Sequence, residues 1–305
     1  MAAAPNLANA LNGATPLDGA TPLHGTIRPE LSKFEQETWC SLVERRCGIS
    51  FSNGRLHVLH AGLWEEMQRL GIASFGEYYA HILRHASDWN SLLDRLTNNE
   101  TSFFRHMPSF LTLSEELLPL LAPERLRQGA KRLSLWSAGC SSGEEAWSMA
   151  IAAKETAAGW HCEIAVLGCD LSTRALAAAR RARYSQRAVA AIPEQLRRQY
   201  LIQDGAECEI RAGIRNIVRF DQFNLFERST YPTQLQDVIF CQNVFIYFGD
   251  KMRARAASNL TECLAPGGFL VPAPGELAGL PIPGLEVLRL QHTTVLRRTT
   301  STPAA

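Results

Sequence analysis

Apolar residues recur at helical spacing from about residue 31 to 96: Phe34, Trp39, Leu42 and Val43, then Leu56, Leu59, Leu63, Met67 and Leu70, then Phe75, Tyr78, Tyr79, Ile82 and Leu83. Gly48, Gly54, Gly71 and Gly76 punctuate the run, which predicts short helices forming a small all-α domain over 29–111. The Leu-rich stretch that follows is broken by Pro119 and Pro123, and a linker is predicted within 112–131. Beyond it, short apolar runs at 133–138, 164–167, 217–223, 237–241 and 269–271 alternate with helical patterns at 145–154, 173–183 and 251–264, the second capped by Ser172. Such alternation predicts an α/β domain over 132–305 built on a doubly wound, mainly parallel sheet. Runs at 285–290 and 293–296, separated by Gln291 and His292, predict a closing antiparallel hairpin. A small antiparallel β insert is predicted over about 200–223, with strands at 200–203, 208–211 and 217–223.

Composition narrows the class. A chain of 305 residues with 46% apolar side chains can bury two cores. Lys and Arg total 31 against 30 Asp and Glu, so no global field favours nucleic acid. No apolar run approaches the roughly 20 residues needed to cross a bilayer. Residues 1–28, rich in Ala, Asn, Pro and Gly and carrying Gly-Ala-Thr-Pro-Leu twice, lack the basic start of a secretory signal; they predict a disordered tail and a cytoplasmic protein. The eight cysteines form no C-x-x-C pair and read as reduced thiols. His57 with His60 and His81 with His85 have helix-face spacing, but no further ligand completes either pair, and no metal is expected.

Ligands of an open parallel sheet bind beyond the carboxyl ends of its strands. The loop after the first strand reads Ser137-Ala138-Gly139-Cys140-Ser141-Ser142-Gly143-Glu144-Glu145, where glycines permit close backbone approach. It has neither the G-x-G-x-x-G spacing of dinucleotide binders nor the ending of a phosphate loop. The second strand ends at Asp170, an acid able to accept from both hydroxyls of a ribose or, alternatively, to cap the next helix. Asn224-Leu225 and the run Cys241-Gln242-Asn243-Val244-Phe245-Ile246-Tyr247-Phe248 close the next two strands and bring amides and a phenol to the same rim. Upstream stands Thr97-Asn98-Asn99-Glu100-Thr101-Ser102-Phe103-Phe104-Arg105.

In these residues the chain resembles the chemotaxis-receptor methyltransferases, CheR-type protein-glutamate O-methyltransferases. The resemblance runs from about 31 to 298 and rests on four ordered segments, 97–105, 136–148, 237–248 and 264–276. It implies a class I S-adenosylmethionine-dependent methyltransferase fold, Rossmann-like, behind an N-terminal helical domain. It implies S-adenosylmethionine as cofactor, S-adenosylhomocysteine as product, and the cytoplasmic helices of methyl-accepting chemoreceptors as partners. It further implies that Asn99, Thr101 and Arg105 touch the cofactor or transfer site from the linker side, with Gly139 in the glycine loop. Glu144 and Asp170 then hold the methionine and ribose portions, Asn224 and Leu225 line the adenine pocket, and Gln242 and Asn243 sit near the reacting end. Tyr247 corresponds to the tyrosine facing the acceptor carboxylate, so Arg105 and Tyr247 are the expected catalytic pair.

Two departures stand out. The family usually has arginine where this chain has Gln242, and its arginine-rich second helix is here His60-Ala61-Gly62-Leu63-Trp64-Glu65-Glu66-Met67-Gln68-Arg69. Both changes suit a divergent member serving another chemosensory array, for example one controlling type IV pilus motility, or a catalytically weak cofactor-binding module docked on such a complex. The short Asp204-Gly205-Ala206 connection predicts no grip on a receptor's C-terminal peptide.

Overall fold

A computed structural model describes residues 29–51 and 54–299; the tail predicted over 1–28 lies outside the described residues. Ser32 opens α1 (Lys33–Cys47) with a capping box, its hydroxyl accepting from the Glu35 amide while the Glu35 carboxylate accepts from the Ser32 amide. α1 stops at Gly48, in the left-handed region at φ +76. α2 (Leu56–Leu70), α3 (Phe75–Ile82) and α4 (Ala86–Leu96) pack with it around Trp39, Leu59, Leu63, Met67 and Tyr78, all buried. Glu66 is buried among these helices and is neutralised by Arg69 and Arg95.

The predicted boundary moves. Residues 112–131 are no linker: α5 (Met107–Thr112), a π turn (Leu113–Leu117) and α6 (Leu118–Arg127) form one helical run, and Phe103, Phe110, Leu113, Leu117 and Leu121 join the core of the sheet domain. The helical domain therefore ends near residue 97, not 111. The prolines misled because a proline clashes with the carbonyl four residues back; the widened π turn just before Pro119 relieves that clash. Arg125 fixes the run, donating to the Asp237 carboxylate at 2.6 Å and to the Pro266 carbonyl at 2.9 Å.

Next come β1 (Arg132–Ala138), α7 (Glu144–Thr156), β2 (Glu163–Asp170) and α8 (Thr173–Arg181), the last capped by Ser172 as predicted. β3 (Arg183–Ser185), α9 (Gln186–Val189), α10 (Glu194–Tyr200), β4 (Leu201–Asp204), β5 (Glu207–Ile210) and α11 (Ala212–Arg215) form a small subdomain. β6 (Val218–Gln222), β7 (Gln236–Cys241), α12 (Asp250–Cys263), β8 (Leu264–Pro272), β9 (Leu285–Arg289) and β10 (Thr294–Arg298) complete the chain. The large sheet runs β6-β2-β1-β7-β8-β10-β9; its first four pairings are parallel and β10 lies antiparallel to β8 and β9, which is the doubly wound sheet with a closing hairpin.

The insert has a different third strand from the predicted one. Its order is β3-β5-β4, so 183–185 supplies the strand assigned to 217–223. Among the described residues, 218–222 pair only with β2, in the large sheet where the alternation of apolar runs also places them, and Phe220 lies so close over Gly168 that a Cβ there would sit 2.5 Å from its ring. Gly205 and Ala206 turn β4 into β5, with Asp204 opposite Glu207.

Candidate active site between the helical domain and the sheet

The carboxyl ends of β1, β2, β6 and β7 open onto one cavity, whose opposite wall is 97–105 with the end of α1. The β1 loop turns sharply through Gly139 (φ +91), Ser141 (φ +50) and Gly143 (φ +99). Its Gly139 and Cys140 amides both donate to the Cys169 carbonyl at 2.8 Å. A Cβ at Gly139 would lie 2.4 Å from Val244, so only glycine lets the β1 and β7 loops meet here. Asp170 accepts from the Ser141 and Ser172 amides, each at 2.8 Å. Burial pushes its carboxyl up while these donors and the Leu171 amide pull it down, and Asp170 lines the cavity.

Segment 97–105 is pinned across the opening by its carbonyls. Ser141 donates its hydroxyl to Asn99 at 2.8 Å and Tyr247 its phenol to Asn98 at 3.4 Å, while within the segment Arg105 donates its guanidinium to Glu100 at 3.1 Å. Asn99, Thr101 and Arg105 all line the cavity. After β7, Gln242, Asn243 and Tyr247 line it as well, with Asn243 left-handed at φ +59. Glu276 braces that loop from behind, accepting from the amides of Ala273 (2.9 Å), Asn243 (3.2 Å) and Ile246 (3.4 Å). The Gln242 amide donates to Ser109 at 2.7 Å, so its polar end is tied to α5.

The helical domain seals the rim. Ile49 bridges to Phe248 and the Ser50 amide donates to the Tyr247 carbonyl at 2.9 Å. Asn224 lines the cavity with Leu225, but its side chain belongs to the seam: the amide donates to the Arg46 carbonyl at 2.7 Å and its oxygen accepts from Phe226 at 3.0 Å. What faces the cavity there is apolar, Leu225 with Phe223 and Leu171.

One expected position is corrected. Glu144 is buried away from the cavity with its carboxylate accepting from Ser142 at 2.7 Å, and it is Glu145 that lines the cavity. The first turn of α7 sends consecutive side chains about 100° apart, so only one of the two glutamates can point inward. Burial lifts the Glu145 carboxyl to about 7; the Ser137 hydroxyl bond (2.6 Å) and Arg105 oppose the shift, and Glu276 adds to it. Glu145, Glu276 and Phe223 were not singled out from the sequence. The Glu-Glu pair was a signal that either faces inward; Glu276 closes the segment 264–276 that carries the resemblance, but nothing in the sequence assigned it a role.

This donor set fits S-adenosylmethionine. Carboxylates at Asp170 and Glu145 suit its hydroxyls and cationic groups, an apolar wall suits a purine, and the Arg105 guanidinium suits a carboxylate. Among the described residues no cluster of three or more His, Cys, Asp or Glu could hold a metal, and no helix is long and apolar enough to cross a membrane.

Comparison with known proteins gives the same division of the chain. Residues 35–97 match the family model described as CheR methyltransferase, all-alpha domain, and residues 99–276 that described as CheR methyltransferase, SAM binding domain. Chemotaxis protein methyltransferase 2 of Vibrio cholerae is 31% identical over 234 residues, covering 74% of this chain and 79% of its own. Chemotaxis protein methyltransferase 1 of Pseudomonas aeruginosa is 30% identical over 235 residues, 75% and 84% of the two chains. The chemotaxis protein methyltransferase of Borreliella burgdorferi is 28% identical over 247 residues, 79% and 87%.

Proposed function

The chain belongs to the CheR methyltransferase family, and on that premise we propose that it methylates glutamate side chains on the cytoplasmic helices of chemoreceptors. The products are glutamate methyl ester and S-adenosylhomocysteine, and the site of action is the cytoplasm. The observation that carries this reading is the cavity between the two domains, with Asp170 and Glu145 on the sheet side, Cys47 and Ile49 on the helical side, and Asn99, Thr101 and Arg105 on the segment that joins them.

S-adenosylmethionine supplies an electrophilic methyl group on a sulfonium. An acceptor carboxylate is already a nucleophile at neutral pH, so the protein need not remove a proton. Opposite charges are neutralised as the methyl group moves, so alignment and exclusion of water are what the site must provide. Segment 97–105 and the Ile49–Phe248 bridge close the cavity from the side. Asp170 holds the ribose hydroxyls, Glu145 the cationic end of the methionine portion, and Leu225 with Phe223 the base. Arg105 fixes geometry by charge-assisted hydrogen bonds, and Tyr247 orients an acceptor oxygen by turning to it the phenol proton that otherwise makes the long 3.4 Å bond to the Asn98 carbonyl. The two-residue turn at Gly205 and Ala206 supports independence from a receptor tail peptide.

The test is to incubate the protein with labelled S-adenosylmethionine and receptor signalling domains from the same cell, then count base-labile methyl ester. Incorporation that vanishes in Arg105→Ala is the expected result. Tight cofactor binding with no transfer to any receptor would favour the docking module, which the tie between Gln242 and Ser109 keeps in play.

A further inference from the structure

The β1 loop, which presents Gly139 and Ser141 to the cavity, is held from three directions. β2 holds it through the Cys169 carbonyl and Asp170, segment 97–105 through Ser141 and Asn99. The third tie comes from the small subdomain: Tyr184, central in β3 and paired with Cys208 of β5, donates its phenol to the Ser142 carbonyl at 2.6 Å. The ring is buried and stands edge-on to Phe103, centroids 4.9 Å apart at 83°. Burial and the neighbouring Glu144 push its phenol up, so the donor proton is retained at physiological pH. Gly143 completes the clamp: a Cβ there would meet Ala179 at 2.8 Å, the Tyr184 oxygen at 3.0 Å and the Trp147 nitrogen at 3.1 Å. The loop thus has no slack against Tyr184.

We propose that Tyr184 is a positioning residue through which the three-stranded subdomain sets the conformation of the cofactor loop, so that whatever engages or loosens the subdomain changes cofactor affinity. β3 is held in register partly by Arg183, which donates to Asp204 (2.6 Å), Glu207 (3.0 Å) and Glu209 (3.3 Å) and so ties the β4–β5 hairpin to Tyr184's own strand. The coupling is reciprocal: a filled cofactor site tightens the subdomain. The proposal rests on the cofactor site described above.

The test is a double-mutant cycle on binding of S-adenosylhomocysteine, followed by calorimetry, with hydrogen exchange of the 139–143 amides as a second readout. Tyr184→Phe weakens binding by about 5-fold, the equivalent of one buried hydrogen bond. Arg183→Ala, outside the cavity, also weakens binding and speeds exchange at 139–143, and it adds nothing in the Tyr184→Phe background. Full additivity, or unchanged binding in Tyr184→Phe, overturns the proposal. Should Tyr184→Phe fail to fold, exchange at 139–143 in Arg183→Ala decides: no acceleration overturns it. Failure of the wild-type protein to bind the ligand would instead sink the cofactor site, and the exchange result would still judge the coupling.

Discussion

The guanidinium of Arg55 lies over the ring of Tyr247, 4.7 Å from its centroid. The two residues come from different domains: Arg55 precedes α2, and Tyr247 stands on the β7 loop at the cavity rim. The same guanidinium also lies over the ring of Phe51, 6.0 Å from its centroid, so Tyr247 is the nearer of two rings that share the cation. Burial raises the Tyr247 phenol and Arg55 is the largest influence opposing that rise.

Removing that cation loosens the tyrosine and raises its phenol further. A cation over an aromatic face at a partly exposed site is worth about 0.5–1 kcal/mol. Arg55→Ala should therefore lower methyl transfer, as kcat/KM for the acceptor, by about 2- to 5-fold. S-adenosylhomocysteine affinity should stay the same. Arg55→Lys should restore part of the loss. An equal fall in cofactor affinity would mean that Arg55 acts on the whole cavity instead.

Glu145 opposes the stability of the ligand-free protein. Its carboxyl rises from about 4.5 to about 7 on folding, so the native state binds more protons than the unfolded chain between those values. Stability therefore falls as pH rises through that window. At about 1.4 kcal/mol per pH unit the loss by pH 8 is on the order of 3 kcal/mol. Glu145→Gln should raise the melting temperature of the ligand-free protein more at pH 8 than at pH 5. The same variant should bind S-adenosylhomocysteine more weakly, which melting curves with and without ligand would reveal. A higher melting temperature equal at both pH values would mean that ionisation is not the cause.

Arg125 and Asp237 form a buried pair whose other atoms are also satisfied, Asp237 accepting from the Ser134 amide at 2.8 Å and Arg125 donating to Pro266. Arg125→Ala leaves a carboxylate buried without its cation, a loss of about 3–5 kcal/mol. Urea unfolding should show a lower midpoint with an unchanged slope. Replacing both partners by apolar residues should recover much of the loss.

The alternation of apolar runs was sufficient for the sheet, its hairpin and Ser172, because period and capping are local properties. Residues 112–131 were misread because Pro119 and Pro123 are local breakers, whereas the π turn and the buried Leu113 and Leu117 that keep the helix intact depend on tertiary packing. Run 217–223 suited either sheet, since partner choice is not written in periodicity; Gly168 beneath Phe220 decided it. At the site, the strand-end rule and the motifs pointed to Asp170, Asn243 and Tyr247, and all three stand on the cavity wall. They could not separate Glu144 from Glu145, which differ by one step of helix rotation, nor reveal that Asn224 serves the seam with Arg46. Glu276 acts through backbone amides of a loop some 30 residues away, a relation visible only once the chain is folded.

Gly48 governs how the helical domain meets the sheet domain. Its φ of +76 is left-handed, and a Cβ there would lie 2.1 Å from the Phe226 ring. Phe226 itself stands edge-on to Phe248, the partner of Ile49 in the bridge that closes the cavity. Gly48→Ala must therefore accept a strained backbone, about 1–2 kcal/mol, and displace an aromatic ring, about 1–3 kcal/mol more. The displaced ring moves the same seam that carries Cys47 and Ile49 to the cavity wall. Lower stability and weaker S-adenosylhomocysteine binding should appear together. Relieving the clash with Phe226→Leu in the same chain should recover the binding more than the stability, because the left-handed strain remains. Recovery of stability alone would show that the seam does not shape the cavity.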